Sequence, residues 1–287
     1  MDGPQATTVT HSPVRVDDRH ERRISLQVLL ADDNAINQKL ALRILEKRQC
    51  TVETASTGAA VLQALEKRSF DVILMDVQMP EMDGFEATAA IREKEKSTGN
   101  HVPIIAVTAH ALKGDRERCL ASGMDGYISK PIDAKELFAM IECLVPDPVE
   151  SRAPTDTSKS GASKLERSEA VLDEVSLRDK TDNDEQLLQE LIELFRLDCP
   201  RLLKQIDDAI VAKDPRALEL AAHALKGAIG TFAAPPSFEA ALRLEMMGRE
   251  HQIIEARQAY KVLETEIDRL QAALAITMKK SARAGAQ

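Results

Sequence analysis

Tryptophan is absent from this 287-residue chain, and only two tyrosines and six phenylalanines are present. Its cores must therefore be built from Leu, Ile, Val, Ala and Met. Cysteine is scarce as well. Cys50, Cys119, Cys143 and Cys199 lie far apart with no CxxC pair, the pattern of buried, reduced thiols in a cytosolic protein. No apolar run approaches the roughly 18–20 residues needed to span a bilayer. The first 25 residues mix Asp17, Asp18 and Glu21 with Arg15, Arg19, Arg22 and Arg23 and hold no signal-peptide core. A basic excess is missing too, since the net charge is −9, which argues against a nucleic-acid partner. Together these absences point to a cytoplasmic protein with no membrane segment in this chain, although a membrane-bound parent is compatible with them.

What is present divides into two domains. With 44% hydrophobic and 30% charged residues, the chain is long enough for two separate cores. Residues 1–25 read as a disordered arm. From residue 26 to 146, short apolar runs (Val28–Ala31, Val52–Ala55, Val72–Met75, Ile104–Val107, Tyr127–Ser129) alternate with amphipathic stretches near 35–48, 58–68, 84–96, 112–122 and 133–144. Five such repeats predict an α/β fold, a doubly wound five-stranded parallel sheet covered on both faces. Right-handed crossovers then bring every strand's C-terminal end to one edge, where such sheets bind ligands. Residues 147–168 are rich in Pro and Ser without apolar periodicity and read as a flexible linker spanning roughly 25 Å.

Residues 169–276 lose the strand signal. Asp182 or Asn183 could cap a long helix through Ala212, and Asp214-Pro215 starts a second. Pro235-Pro236 interrupts the second helix, with a turn-rich restart at Ser237 that ends near Gly248. A last amphipathic helix covers about His251 to Ala275. The 3–4 spacing of Leu187, Leu188, Leu191, Ile192 and Phe195 marks a buried stripe, so an antiparallel four-helix bundle is expected. Residues 277–287 read as a disordered tail.

Chemistry-bearing residues sit at the strand ends. Asp32 and Asp33 follow the first strand, Asp76 the third, Thr108 the fourth and Lys130 the fifth. Three converging carboxylates repel one another unless a hard cation neutralises them, and Mg²⁺ suits oxygen donors while leaving room for a phosphate. Asp76 has no Ser, Cys or His neighbour competing as nucleophile. Thr108 can donate to a phosphoryl oxygen and Lys130 can supply a cation, which is what phosphoryl transfer requires.

The strings Leu29-Leu30-Ala31-Asp32-Asp33-Asn34, Met75–Gly84, Thr108-Ala109 and Lys130-Pro131 resemble the receiver domain of two-component response regulators. That resemblance implies Asp76 as phosphoacceptor, Asp33 as a direct Mg²⁺ ligand, Asp32 acting mainly through water, and the Gln78 carbonyl as a further ligand. It also implies that Thr108 and Lys130 bind phosphoryl oxygens and that Tyr127 fills the switch aromatic position beside Thr108. His110, at the start of an exposed helix, reads as a surface residue rather than a base.

A second constellation lies in the helical half. One helical face carries His223, Lys226, Gly227 and Gly230, an imidazole with a cation one turn along and two glycines that leave room for a partner. A neutral imidazole can accept a phosphoryl group, and Lys226 can offset its charge. Leu218, Leu225 and Ile229 are expected on the inward side, keeping His223 outward. His11, His20, His101 and His251 read as ordinary surface or core residues. The string His223–Gly230 resembles the motif of histidine phosphotransfer (HPt) domains, and Leu242-Arg243-Leu244-Glu245 is similar to that family's following helix. Thr231-Phe232-Ala233-Ala234 departs from the pattern, with Ala233 where a third glycine is often found.

Both resemblances imply a phosphorelay protein rather than an ATP-dependent enzyme. Asp76 would take phosphoryl from a sensor histidine kinase, and His223 would accept it from an aspartate and pass it to a downstream response regulator receiver. An intramolecular contact between the domains is possible. One alternative is the C-terminal receiver–HPt portion of a hybrid sensor kinase. Another is a Mg²⁺-dependent phosphohydrolase with an Asp nucleophile, although Gln78 stands where such enzymes need a second aspartate. A scaffold that only binds partners fits poorly with a full set of phosphoryl-handling residues.

Overall fold

The apolar runs pair as the alternation predicts. In the computed structural model, which describes residues 26–108, 113–145 and 171–284, strands β1 (Gln27–Ala31), β2 (Thr51–Ala55), β3 (Val72–Asp76), β4 (Ile104–Thr108) and β5 (Gly126–Ser129) form one parallel sheet. Its order is β2-β1-β3-β4-β5. Helices α1 (Ala35–Lys47), α2 (Gly58–Lys67), α3 (Gly84–Thr98), α4 (Lys113–Ala121) and α5 (Ala134–Leu144) fill the crossovers. The expected arm at 1–25, the linker at 147–168 and His110 lie outside the described residues.

Period-two side-chain alternation sends the strands' apolar residues to two faces. Val28, Leu30, Val72, Leu74, Ile105, Val107 and Ile128 pack with Ala41 and Leu45 of α1 and Leu137, Phe138 and Ile141 of α5. Leu29, Ala31, Ile73, Met75, Ile104 and Ala106 pack with Val61, Ala87, Ile91 and Cys119 from α2, α3 and α4. Cys50, Cys119 and Cys199 are buried as expected. Cys143 is exposed on α5, so the expectation of four buried thiols is corrected there.

The second unit is helical. It comprises α6 (Glu174–Lys180), α7 (Glu185–Ala212), α8 (Pro215–Gly230), α9 (Pro235–Arg249) and α10 (Ala256–Ala284), with a one-turn 3₁₀ helix at Ile253–Glu255. Helix α6 is too short to show a period in sequence and was not anticipated. Asp184 caps α7 by accepting from Leu187 N–H at 3.0 Å. Asp182 and Asn183, the expected caps, have left-handed φ of 51° and 54°, whereas a capping residue is extended. Pro235 and Pro236 open α9 as a regular helix instead of a turn-rich restart, because a missing N–H costs nothing in the first turn. The last helix begins five residues later than expected and continues to Ala284, so the tail expected from 277 is helical through 284. The strong helix propensity of its Ala, Lys and Arg residues accounts for this.

Apolar stripes from α7, α8, α9 and α10 close one core, with Phe195 and Phe232 in tilted contact at 5.0 Å. Two residues of the α/β unit belong to the same core. Ile36 and Leu40, four apart on α1, are buried among the bundle's side chains, and Ile44 continues their row. Beside them runs a second row at the same spacing. Lys39 pairs with Glu190 (2.7 Å), Arg43 with Asp184 (2.9 Å) and Lys47 with Asp182 (2.7 Å). These pairs are partly exposed and individually weak, so the apolar row supplies most of the adhesion and the charges set register. Asn34 joins the two units directly. Its side-chain oxygen caps α1 through Ile36 and Asn37 N–H, while its amide nitrogen donates to the Ala224 carbonyl at 3.0 Å.

Leu40→Asp places an unpaired carboxylate in that contact. The expected outcome is separation of the two units with each still folded, seen as expanded small-angle scattering with an unchanged far-UV circular dichroism spectrum.

Candidate functional site

The strand order reverses between β1 and β3, so the ends of those strands lie side by side. Ala31 is in register with Met75, which places Asp32 beside Asp76 at the next position. Ligand oxygens of Asp32, Asp33 and Asp76 all come within 4.8 Å of one another. Asp32 and Asp76 are buried. Asp32 Oδ1 accepts from Asn34 N–H (2.8 Å) and the Asn37 amide (3.3 Å). Lys130, delivered from the end of β5, sets its Nζ 2.5 Å from Asp76 Oδ2 and 2.8 Å from Asp32 Oδ2. Gln78 N–H donates to Asp76 Oδ1 at 3.2 Å.

Gly84 makes this corner possible. A Cβ there would stand 2.2 Å from the Asp76 carbonyl oxygen, and Gly84 N–H donates to the Val77 carbonyl at 3.0 Å. Burial raises the pKa of Asp76 to about 7, with Asp32 and Asp33 adding to the rise and Lys130 opposing it. Asp33 is raised to about 6 by burial and by Asp32. This carboxylate set is crowded and short of positive charge, and its all-oxygen donors fit a hard divalent cation.

On the bundle, Leu218, Leu225 and Ile229 face the core as expected. His223 projects from the other side of α8 but is only 6% exposed, so the expected outward imidazole is in fact buried. Its Nδ1 meets Glu245 Oε1 of α9 at 3.0 Å. The ionised carboxylate can only accept, so Nδ1 carries the proton and Nε2 keeps a lone pair. Burial lowers the His223 pKa to about 4, with the Glu245 hydrogen bond opposing.

Lys226 differs from expectation. It is fully buried, with its Nζ 2.5 Å from Glu245 Oε2, and so anchors the carboxylate that holds the imidazole. Burial lowers its pKa and Glu245 opposes the fall. Gly230 does not face a partner either, because its nearest neighbour is Phe238 of α9. Gly227 does, since a Cβ there would lie 3.3 Å from the Asn37 amide of α1.

One cavity of about 230 Å³ joins the two constellations. Asp76, Gln78 and Thr108 line it from the sheet side, and Arg216, Glu219, His223 and Arg249 from the bundle side. Lys130 contributes to lowering the His223 pKa, which reflects the same proximity. Tyr127 packs at the edge of the sheet core with the Arg116 guanidinium 5.5 Å from its ring centre. His101 lies away from this site, between Glu95 and Asp125. Sequence reasoning placed Glu245 on the following helix but missed its contact with His223, and it missed Arg249 and the docking role of Asn34. Glu245 did leave a signal, as the lone acidic residue among Ala241, Leu244 and Gly248 at 3–4 spacing.

Residues 28–142 match the response regulator receiver domain and residues 190–273 match the Hpt domain. The chain joins a receiver domain to an Hpt domain. Hybrid signal transduction histidine kinase I of Dictyostelium discoideum is 44% identical over 139 residues, covering 47% of this chain and 8% of that protein. The signal transduction histidine-protein kinase BarA of Escherichia coli K12 is 31% identical over 220 residues, covering 75% of this chain and 23% of that protein. The receiver domain of sensor histidine kinase PA1611 from Pseudomonas aeruginosa, solved with a magnesium ion in its active-site cleft, is 36% identical. It covers 43% of this chain and all of that one, at a TM-score of 0.40. The receiver–Hpt chain thus spans less than a quarter of either kinase's length. Among its described residues no helix is long and apolar enough to cross a membrane.

Two outcomes follow for the Hpt half. Removing the carboxylate in Glu245→Ala strands the buried Lys226 charge and is expected to cost about 3–5 kcal/mol in chemical denaturation. The imidazole of His223 should stay neutral, with Nδ1–H retained, from pH 8 to about 5 in ¹⁵N spectra, and protonate only toward pH 4. The unfolded chain binds that proton near the ordinary value of about 6.5. Stability from this group is therefore complete above that pH and is lost as pH falls toward about 4.

Proposed function

We propose that this chain is a two-station phosphorelay module in which Asp76 accepts a phosphoryl group and His223 takes it over within the same molecule. The observation that carries the reading is the shared cavity, which Asp76 and Thr108 line from one unit and His223 from the other. Asp33, Asp76 and the Gln78 carbonyl would hold Mg²⁺, with Asp32 acting through water. When bound, the ion supplies charge neutralisation for the carboxylates and the phosphoryl oxygens.

In the first step an Asp76 oxygen bonds to the phosphorus of a donor, such as the phosphohistidine of a sensor kinase, as the donor's P–N bond breaks and its imidazole leaves. Lys130 and Thr108 bind the phosphoryl oxygens, and Thr108 with Tyr127 senses the occupied state. In the second step the His223 Nε2 lone pair forms the P–N bond as the P–O bond to Asp76 breaks, and the carboxylate departs as an anion. The Nδ1 proton stays in place. Glu245 stabilises the cationic ring that forms, as a buried carboxylate does for any imidazole gaining positive charge. A downstream receiver aspartate would take the group onward once the bundle swings away. A place at the C-terminal end of a hybrid kinase is equally compatible with the matches to the two kinases above.

Labelled acetyl phosphate with Mg²⁺ tests the reading on the full chain. The parent should yield acid-labile phosphohistidine, His223→Gln should stop at a hydroxylamine-sensitive acyl phosphate on Asp76, and Asp76→Asn should not label at all. Transfer in the parent should be independent of protein concentration. A mixture of Asp76→Ala and His223→Ala should transfer only in proportion to it. Label on His223 in Asp76→Asn, or multiple turnover of small phosphomonoesters, would overturn the relay in favour of other chemistry.

A further inference from the structure

A phosphoryl group in flight spreads negative charge over three oxygens, and catalysis consists largely of holding that charge with fixed cations. Lys130 serves from the receiver side. The Hpt side needs a cation as well, and Lys226 is not in the cavity. It is sealed in the bundle against Glu245. The cavity instead receives Arg216 and Arg249. Arg249 is the better held of the two. Its Nε donates to Glu219 Oε1 at 3.0 Å and its Nη2 to Glu245 Oε1 at 3.2 Å. That second oxygen is the one that also meets His223 Nδ1. One carboxylate oxygen thus fixes both the accepting imidazole and the guanidinium beside it.

Two of the guanidinium's five donor hydrogens are engaged this way, and its planar fork suits phosphoryl oxygens. Arg216 is bound through Glu219 alone, at 3.1 Å, and is the more exposed of the two. Arg118, which lines the receiver side, is stacked over Phe85 at 4.5 Å. Glycine explains how Arg249 comes so close. A Cβ at Gly248 would lie 2.5 Å from Glu219 N, so the helix carrying Arg249 touches the backbone of the helix carrying His223.

We propose that Arg249 is a catalytic residue of the internal transfer, donating to the phosphoryl oxygens as the group passes from Asp76 to Nε2 of His223. This rests on the assignment of those two residues as donor and acceptor. No proton changes hands at the guanidinium. Its hydrogen bond to Glu245 is exchanged for one to phosphorus-bound oxygen, while Glu219 keeps it in place.

Single-turnover transfer in the full chain, started with labelled acetyl phosphate and Mg²⁺, tests the role. Arg249→Ala should reach the same Asp76 labelling as the parent but move label to His223 at least tenfold more slowly. Arg249→Lys should recover part of the rate, and added guanidinium ion should accelerate the alanine variant. The ¹⁵N spectrum of His223 should keep its Nδ1–H pattern in Arg249→Ala, which a merely structural arginine would not allow alongside the slow transfer. Unchanged transfer would overturn the proposal, as would slow transfer with a lost Nδ1–H pattern and no rescue. Failure of the underlying assignment shows differently, as a parent chain whose label never reaches His223.

Discussion

Helix α1 is packed on two sides, with Ala41 and Leu45 against the receiver sheet and Ile36 and Leu40 against the Hpt core. Every distance between Asp76 and His223 depends on that double burial. The cavity they share is lined from both domains, Asp76 and Thr108 coming from strand ends and His223 from a helix of the bundle. The hydrophobic term is non-directional and could tolerate sliding along the helix. The row of Lys39, Arg43 and Lys47 facing Glu190, Asp184 and Asp182 opposes sliding, since a slip by one turn would leave one pair unmade.

The electrostatic design differs between the two halves. On the receiver side, carboxylates outnumber the one buried lysine, and burial and mutual repulsion raise the proton affinity of Asp33 and Asp76. On the Hpt side, a single carboxylate, Glu245, is met by His223, Lys226 and Arg249. Positive partners hold it ionised, and it in turn fixes which ring nitrogen is free. A buried charge of this kind is tolerated only because its partners compensate for lost solvation.

Legibility in the sequence followed the physics of each signal. Continuous apolar strands and acidic strand ends are local patterns, and Asp32, Asp33, Asp76, Thr108 and Lys130 were readable from them. His223 was visible from its string. The direction of Lys226 was not, because a charged residue at i+3 reads as solvent-facing until a buried carboxylate on another helix is known. Arg249 and Asn34 act only across contacts between elements distant in sequence, where no periodicity carries information. Asp184 was displaced as a cap by neighbours of the same chemistry, and only the left-handed backbone at Asp182 and Asn183 decides among them.

The meeting of Gly248 with Glu219 N ties two quantities that are usually separate. Any side chain at 248 would pry α9 from α8 and draw the Glu245 oxygens off the ring nitrogen. The imidazole would then be free to exchange tautomers and to turn its lone pair away from the cavity. In this fold the thickness of one helix crossing and the set of one imidazole are a single variable, fixed by a residue that touches neither the ring nor its carboxylate.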